Sequence, residues 1–593
     1  MVKPNESSPH TEVTSPKVTI SGLTEVSRTE SSIEDPRPGT KPVILCPQSR
    51  KEEKQCEPPP KLSALVETGQ AESSIQVPLQ RAYRGEKSVI PASLADTLCS
   101  ELGIGRLLQT LNDILGTSYN LDDTPSLSSL LNQCISRNYD FGTAYGHLRQ
   151  SWYDDLSTIQ DNLRTYEKKD REMRRNALVG DQIVGTQIPP RRVWDLFSNR
   201  VVPWWVTKEK WPQPISHAWM EGNDRSDIRT PINGKEWPVP IPTGVDLKLI
   251  RIEMLNLGLE YVWLDVLCLR QKDGPGEDLR AEEWKVDVPT IGYLYRVVGV
   301  VVCYLSGLGR PFTLTAKVFQ SHHWWFNRAW TLQEVAEDRI IAGDTPDGPL
   351  HTEPQDEEGK EIVKKFRKQL QALDDISPDS YNIFDVLAEM QKRQSAKAVD
   401  KIAGMAFCLE SATIPAYYED QSLEDAWTAL VNTVIPWFRG DLFFGFPEPG
   451  TGNKKWRPSW DQAMAMPRQK GECGVWVGRD EENGNDWCQG YCIEKGTVRG
   501  LDAERVDRRG ELTVIGANGK THAFQITALH HYLIPEDTYT IIGAHIALEN
   551  WVVGRRLSNN WFEKVSVFTM PNSEERKRLH DLEVTKELRN YLV

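Results

Sequence analysis

The first 82 residues contain no aromatic side chain, although the chain of 593 residues holds 20 tryptophans, 17 tyrosines and 15 phenylalanines. The first aromatic residue is Tyr83, and the segment before it is rich in Ser, Thr, Pro and Glu. Such a segment cannot bury enough apolar surface to offset the entropy that ordering costs. The sequence therefore predicts a disordered leader over residues 1–82, either an inert tail or a regulated, partner-binding one.

Long apolar runs and dense basic runs are also missing. The longest apolar run, Val297 to Leu308, is shorter than the roughly 20 residues that a membrane span needs. The start, Met1-Val-Lys-Pro-Asn5, has no apolar core of signal-peptide type. The net charge is −14, and the chain has no dense cluster of Lys and Arg, the side chains that bind nucleic acids and anionic lipids. These absences argue against nucleic-acid and membrane partners, and they predict a cytoplasmic protein.

Recognisable metal, phosphate and hydrolase motifs are absent as well. Of the ten cysteines, the best local pair, Cys488 and Cys492, lacks a second pair at zinc-ligand spacing, which favours reduced structural thiols and no metal site. The segment Gly516–Thr521 resembles a phosphate loop, but Val514 stands where its first glycine is required. The pair Asn518-Gly519 within it favours a hairpin turn instead. No Gly-x-Ser-x-Gly elbow occurs, and no bound cofactor is predicted.

Apolar periodicity divides the rest of the chain. Leu94, Leu98 and Leu102 show helical spacing, whereas Thr497–Glu549 alternates short apolar runs with turn residues. Four segments are predicted: a helical region over residues 83–188, an α/β domain over 189–343, a helical continuation over 344–465, and a β-rich C-terminal region over 466–593.

The α/β domain is predicted in more detail, because its buried strands read as continuous apolar runs. The predicted strands are Pro214–Trp219, Tyr261–Leu267, Val297–Leu305 and the short Arg339–Ala342. The predicted helices are Asp246–Leu257, an acidic amphipathic segment over Glu277–Tyr295 that Pro289 must kink or divide, and Trp330–Asp338. The fold class is therefore α/β with a parallel-sheet core.

Several polar residues lie where an α/β fold places its ligands, beyond the carboxyl ends of the strands. Ser216 closes the first strand, Asp265 and Gln271 lie at the end of the second, and Asp287 follows the next loop. We expect these side chains to converge. Asp265 sits among apolar neighbours, and a buried carboxylate must be paired or protonated. It therefore either pins a nearby loop or serves a site.

Arg328, Trp330 and Glu334 form a second candidate cluster. Trp330 and Glu334 are four residues apart and would share one face of the predicted helix, with Arg328 reaching back from the preceding turn. One interpretation is a plain Arg328–Glu334 ion pair. The other is a carboxylate beside an aromatic platform at a cleft, which would grip the ribose of a nucleotide and stabilise the oxocarbenium-like state of glycosidic cleavage.

Four blocks of the chain resemble, in order, the motifs of the fungal heterokaryon-incompatibility (HET) domain. The family's blocks read roughly Ser-Tyr-x-Trp-Gly, Trp-Ile-Asp-x-x-Cys-Ile-x-Gln, Trp-x-x-Glu-x-x-x-Met-x-x-Ile-Tyr and Arg-x-Trp-Thr-x-Gln-Glu. The corresponding residues are Ser216 and Trp219; Trp263, Asp265, Cys268 and Gln271; Trp284, Asp287, Ile291, Leu294 and Tyr295; and Arg328, Trp330, Thr331, Gln333 and Glu334. The chain departs from the pattern at four positions, His217, Met220, Asp287 and Ile291, where the family has Tyr, Gly, Glu and Met.

The resemblance covers about residues 190–343 and implies a role in fungal non-self recognition that ends in growth arrest or programmed cell death. It also implies a TIR-like core, since HET domains are held to be distantly similar to TIR domains. Some TIR domains cleave NAD with a helical glutamate in a Trp-x-x-x-Glu pattern, and Trp330-Thr-Leu-Gln-Glu334 has that spacing.

Carried over to this chain, the likeness makes Glu334 the catalytic carboxylate and NAD the candidate substrate. The residues that would bind the substrate are Ser216, Trp219, Asp265, Gln271, Asp287, Arg328 and Trp330. The alternative is a non-enzymatic signalling module that acts by self-association or by recruiting protein partners.

Overall fold

The computed structural model describes residues 18–20 and 89–593, apart from residues 124, 337, 345–347, 375–381, 410, 468–475, 504 and 544–548. Within these ranges the chain is a mixed α/β protein. The leader predicted over residues 1–82 lies outside the described residues, except for a three-residue strand, β1 (Val18–Ile20). Its disorder stays a prediction.

The first part of the described chain is helical, as its apolar spacing predicts. It comprises α1 (Ala92–Ala95), α2 (Cys99–Leu115), α3 (Pro125–Ser136), α4 (Phe141–Leu148) and α5 (Ile159–Ala177). Leu107, Leu111 and Leu131 are fully buried where α2 and α3 pack together. A short hairpin of β2 (Leu178–Val179) and β3 (Gln182–Ile183) follows α5.

A seven-stranded sheet forms the centre of the molecule. The strands between the helical region and the end of the sheet are β4 (Arg192–Asp195), β5 (Arg200–Pro203), β6 (Gln213–His217), β7 (Arg225–Ile228), β8 (Val239–Pro242), β9 (Tyr261–Trp263), β10 (Val300–Tyr304) and β11 (Asp338–Ile341). The strand order is β1-β11-β10-β6-β9-β4-β5, parallel from β1 to β9 and antiparallel from β9 to β5. Strands β7 and β8 form a separate hairpin.

The helices that accompany this sheet are α6 (Leu247–Asn256), α7 (Asp265–Cys268), α8 (Arg280–Asp287) and α9 (Ile291–Val298). Helices α8 and α9 lie on either side of Pro289, which confirms that this proline divides the acidic segment. The second predicted strand is shorter than expected. It stops at Trp263, because the Asp265 side chain accepts from the amide of Val266 and starts the helical turn α7.

The prediction of a helix over Trp330–Asp338 is wrong. Only a 3₁₀ turn forms, over Trp330–Leu332. The amides of Leu332 and Gln333 donate to the carbonyls of Ala329 and Trp330, three residues earlier, which is the 3₁₀ pattern. The carbonyl of Arg328, just before this turn, accepts from Arg393 and from the hydroxyl of Thr331. Trp330 and Glu334 therefore do not share a helical face.

The helical continuation and the C-terminal region follow. The continuation contains α10 (Glu357–Asp374), α11 (Ile383–Gln391), α12 (Val399–Ala403), β12 (Ile414–Pro415), α13 (Leu423–Thr433), α14 (Pro436–Gly445) and α15 (Trp460–Ala465). The C-terminal elements are β13 (Val477–Arg479), β14 (Asp486–Arg499), β15 (Arg508–Ile515), β16 (Thr521–Ala528), β17 (Asp537–Gly543), β18 (Asn550–Arg556), β19 (Trp561–Thr569), α16 (Ser573–Asp581) and β20 (Lys586–Leu592).

The C-terminal strands close into a barrel. The ring runs β14-β15-β16-β19-β18-β17 and returns to β14, while β13 and β20 flank the first half of β14. The hairpin predicted at Asn518-Gly519 joins β15 to β16, and Gly519 takes the positive φ of +74° that this turn requires. The β-rich character of this region is confirmed.

Buried ion networks join these regions. Arg149 of the segment after α4 donates two hydrogen bonds to Asp195 of β4, at 2.8 and 2.9 Å, and one to Glu260 at 2.6 Å. Farther along the chain, Asp486 of β14 accepts from Arg439 of α14 and from Arg479. Each network replaces the water that its charges lose on burial.

Membrane spans and metal clusters are not found in the described part of the chain. None of its helices is both long and apolar enough to cross a bilayer, and no group of three or more His, Cys, Asp or Glu side chains there could hold a metal ion. Seven of the ten cysteines are described, and all seven are free and buried. Burial raises the pKa of the Cys268 thiol to about 12, which makes it a poor nucleophile.

Replacing Arg149 by methionine should destabilise the protein by about 3–5 kcal/mol, because Asp195 would remain buried without a counter-charge. The thermal unfolding midpoint measures this effect. Arg164→Met is the matched control, since Arg164 pairs with Asp161 on an exposed helix surface where such pairs contribute little. Equal midpoints for the two variants would contradict a structural role for the Arg149 network.

Candidate functional site

The carboxyl end of β6 carries a hydroxyl that bonds to two distant side chains. Ser216 Oγ donates to Glu334 Oε2 at 2.5 Å and accepts from Trp325 Nε1 at 2.6 Å. The indole nitrogen can only donate, so the hydroxyl accepts from Trp325 and gives its one proton to Glu334 when that carboxyl group is ionised. Glu334 is only 8% exposed. The carboxyl group of Glu334 is thus held inside the protein, at the carboxyl ends of the parallel strands.

The next residue of the strand serves a second carboxylate. His217 Nε2 lies 2.7 Å from Asp265 Oδ1, and Trp219 Nε1 donates to Asp265 Oδ2 at 2.6 Å. The amide of Val266 also donates to Oδ1, at 2.7 Å. The rings of His217 and Trp219 are stacked, with planes 11° apart. Successive residues of a strand point to opposite faces of the sheet. Ser216 therefore bonds to Glu334 on one face, and His217 bonds to Asp265 on the other.

The ionisation of these groups is coupled. Burial raises the pKa of Glu334 to about 7; the hydrogen bond from Ser216 opposes this rise, and the charge of Asp265 adds to it. Burial also acts to raise the pKa of Asp265, but the charge and hydrogen bond of His217 outweigh it and lower that pKa below its usual value. Burial acts to lower the pKa of His217, but the charge and hydrogen bond of Asp265 outweigh burial and raise that pKa above its usual value. His217 and Asp265 therefore each favour the charged form of the other, beside a Glu334 whose pKa lies near neutrality.

Asp287 and Gln271 lie outside this cluster, although convergence is expected from the sequence. Arg191 holds Asp287 with two hydrogen bonds, at 2.6 and 3.0 Å, and Arg174 approaches to 3.5 Å. Gln271 Nε2 donates to the carbonyl of Leu269, within its own loop. Both polar groups are occupied by structural partners. Of the four side chains that were expected to converge, only Ser216 and Asp265 lie in this cluster. Ser216 bonds to Glu334, and Asp265 bonds to His217.

Arg328 and Trp330 also have other partners than expected. Arg328 Nη1 donates to Glu221 Oε1 at 3.0 Å, so its ion-pair partner is Glu221, and not Glu334 as one of the two interpretations had it. Trp330 packs against Tyr417, with ring centroids 6.3 Å apart. Its place as an aromatic platform for Glu334 stays a prediction. Arg328 still affects Glu334 at longer range, since its charge lowers the pKa of that group slightly against the effect of burial.

Two residues of the cluster, His217 and Trp325, are not predicted from the sequence. His217 is noted there only as a departure from a family tyrosine, and Trp325 is not singled out. The available signal for Trp325 is chemical, because a buried indole N–H must find an acceptor. For His217 it is positional, because the residue follows Ser216 at the strand end where ligands bind.

The cluster has a closed side and a more open side. Glu334 and Ser216 form the closed side, while Asp265 and Trp219 are only partly buried and face outward. Chemically, Glu334 can exchange a proton near neutral pH or carry a charge that has few competing partners. The His217–Asp265 pair supplies a fixed dipole and hydrogen-bonding groups beside it. This combination suits a small polar ligand at the strand ends more than a metal ion.

The variant Glu334→Gln should lose a pH dependence that the wild type shows. Since folding raises the pKa of Glu334 from about 4.5 to about 7, its stabilising contribution is complete below about pH 4.5 and is lost as the pH rises through 7. Over that window the wild type should lose about 3 kcal/mol relative to the variant. Unfolding midpoints of both proteins from pH 5 to 8 test this.

The matched control for this titration is Glu283→Gln. Glu283 is also largely buried, but burial there is outweighed by Arg192, which lowers the pKa of the carboxyl. Glu283 therefore stays ionised from pH 5 to 8, and its variant should differ from the wild type by a constant amount. A constant difference for Glu334→Gln as well would show that Glu334 does not titrate in this range.

No protein-family model, no curated protein and no solved structure matches the chain. The four motif blocks therefore carry the HET resemblance by themselves.

Proposed function

We propose that this chain is a HET-type signalling protein of fungal non-self recognition and cell death, acting through a TIR-like pocket that cleaves a nucleotide of the NAD class. One observation supports this most directly. Ser216, Asp265 and Glu334 come from three separate motif blocks, and hydrogen bonds gather them at the carboxyl ends of the parallel strands β6 and β9. Such strand ends are the usual ligand site of open α/β sheets.

In this proposal Glu334 stabilises the transition state. The bond between the ribose and nicotinamide breaks, and its electron pair leaves with the nicotinamide. Water then adds to the ribose carbon and releases one proton to solvent. The oxocarbenium-like state between these events is positive, so an ionised carboxylate beside it lowers the barrier. Asp265 lies on the open side, where Oδ2, which already accepts from the indole of Trp219, has a further lone pair to accept from a ribose hydroxyl. Arg328 is near enough to the surface to exchange Glu221 for a phosphate.

The state of Glu334 sets two requirements for this activity. The ligand has to displace Ser216 Oγ or approach Glu334 from its second oxygen, because Ser216 holds the first. The carboxyl group also has to be ionised, and its pKa of about 7 means that cleavage should rise as the pH increases through neutrality.

A second candidate function is a non-enzymatic signalling module. The burial of Glu334 favours it, since a carboxylate that is 8% exposed and hydrogen-bonded to Ser216 can simply fasten the sheet edge to the segment before β11. In that case self-association or partner binding would carry the signal.

Purified full-length protein incubated with NAD should release nicotinamide, and Glu334→Gln should reduce the rate by at least about 100-fold, the scale on which one transition-state charge contributes. Chromatographic quantification of nicotinamide is the measurement. Glu283→Gln, which removes a buried glutamate outside the cluster, should keep the activity of the wild type per folded molecule.

Light scattering and melting curves should accompany this assay. Absence of nicotinamide release from folded wild type, in both monomeric and self-associated samples, would reject the enzymatic proposal and leave the signalling module. Unfolding of Glu334→Gln at the assay temperature would assign Glu334 a structural role instead.

A further inference from the structure

The outer face of the C-terminal barrel carries a row of aromatic side chains. Strands β14, β20 and β19 are neighbours, and their register pairs Trp487 with Tyr591 and Tyr591 with Trp561. Cross-strand partners project from the same face of a sheet. Alternate residues Asp486 and Cys488 of β14 are buried, so the opposite face, with the three rings, is the outer one. We call Trp487, Tyr591 and Trp561 the aromatic row.

Contacts within the row hold its rings in place. The rings of Trp561 and Tyr591 have centroids 5.7 Å apart. The guanidinium of Arg589 lies 4.1 Å from the ring centre of Trp487 and 5.5 Å from that of Tyr591. The row is therefore a preorganised surface, and binding to it would cost little side-chain entropy.

Two strongly exposed tryptophans extend this surface. Trp476 is 58% exposed and Trp437, from α14, is 47% exposed. Their ring centroids are 5.3 Å apart, and the planes meet at 77°, which forms an open corner. Trp476 directly precedes β13, and Gly478 of that strand pairs with Trp487, so the corner lies beside the Trp487 end of the row. The rings of the row are partly buried, and those of the corner are exposed. Aromatic surface that is open to solvent in this way marks an interaction site.

We propose that the aromatic row and the Trp437–Trp476 corner bind a proline-rich peptide in the polyproline II conformation, with a basic residue at one end. Trp487 and Trp561 are two strand spacings apart, about 9.6 Å. One turn of a polyproline II helix is three residues long and rises about 9.3 Å. Prolines on one edge of such a peptide can therefore meet successive rings, as in other aromatic grooves for proline-rich ligands.

Charge complementarity supports the basic residue. The β13–β14 hairpin, next to the row, ends in the exposed acidic side chains Glu481 and Glu482. A single-stranded nucleic acid would meet these carboxylates and no basic groove of the kind it requires. The polar side chains on the same face, Gln489 and Glu587, already bond to each other at 2.8 Å. An oligosaccharide would find few polar groups free to hold its hydroxyls.

The chain itself contains a sequence of the required kind, Glu57-Pro-Pro-Pro-Lys61, outside the described residues. A fluorescein-labelled peptide of residues 57–64 is therefore the probe, and fluorescence anisotropy with full-length protein is the measurement. A second receptor, with Pro58, Pro59 and Pro60 replaced by alanine, removes competition from the chain's own segment. We expect saturable binding to the second receptor at least as tight as to the first.

Alanine at Trp476 or at Tyr591 should weaken this binding at least about tenfold, because aromatic side chains at an interface centre carry most of its affinity. Replacing the three prolines of the peptide by alanine should weaken it similarly. Tyr153→Ala is the matched control, since Tyr153 is also strongly exposed but lies in the helical region. Trp476→Phe should keep most of the affinity, which separates loss of a ring from loss of folding.

Three results would overturn the proposal: no saturable binding to either receptor, wild-type affinity in Trp476→Ala and Tyr591→Ala, or tighter binding of a glucose oligomer or single-stranded oligothymidylate than of the peptide. The proposal does not depend on the activity proposed for Glu334. Nicotinamide release and peptide binding can each fail without the other.

Discussion

The carboxyl edge of the central sheet depends on the hydroxyl of Ser216. It has one proton and two lone pairs, and it uses them to accept from Trp325 and to donate to Glu334, 109 and 118 residues farther along the chain. This shared bond attaches β6 to the segment that leads into β11. The carboxyl group that receives it lies in a region of low polarity, where a charge is costly unless it is paired. Glu334 is therefore poised between its neutral and ionised forms, and every chemical or structural role of the cluster follows from that balance.

Much of the sheet can be predicted from local sequence, because β9 and β10 are continuous apolar runs and buried parallel strands have that composition. Pro289 likewise divides the helices around it by a purely local effect. The segment after Trp330 cannot be predicted in this way. That segment makes only a 3₁₀ turn, and residues far along the chain bond to it: Arg393 donates to the carbonyl of Arg328, and Ser216 bonds to Glu334. Tertiary contacts of this kind do not show in the local spacing of residues.

Part of the candidate site can likewise be predicted from local sequence, and part of it cannot. Ser216, Trp219, Asp265 and Glu334 can be proposed from strand ends and motif spacing. Arg328 and Asp287 cannot be placed correctly, because a carboxylate or guanidinium pairs with whichever counter-charge the fold brings nearest. For Arg328 this is Glu221, and for Asp287 it is Arg191. The spacing of residues in the sequence suggests partners that are close along the chain, whereas the fold pairs charged groups that are close in space. The two agree for neighbours such as Trp219 and the residues of β6.

Closure of the C-terminal strands has a consequence for how this protein can associate. In the ring β14-β15-β16-β19-β18-β17 each strand has a neighbour on both sides. The edge strands of an open sheet expose unpaired amides and carbonyls to which a foreign strand can add, whereas in a closed ring these groups are paired. Partners that bind the ring strands must therefore contact side chains and not the backbone. That restriction favours partners of defined sequence over indiscriminate strand addition, and it protects an acidic protein of this length from one common route to aggregation.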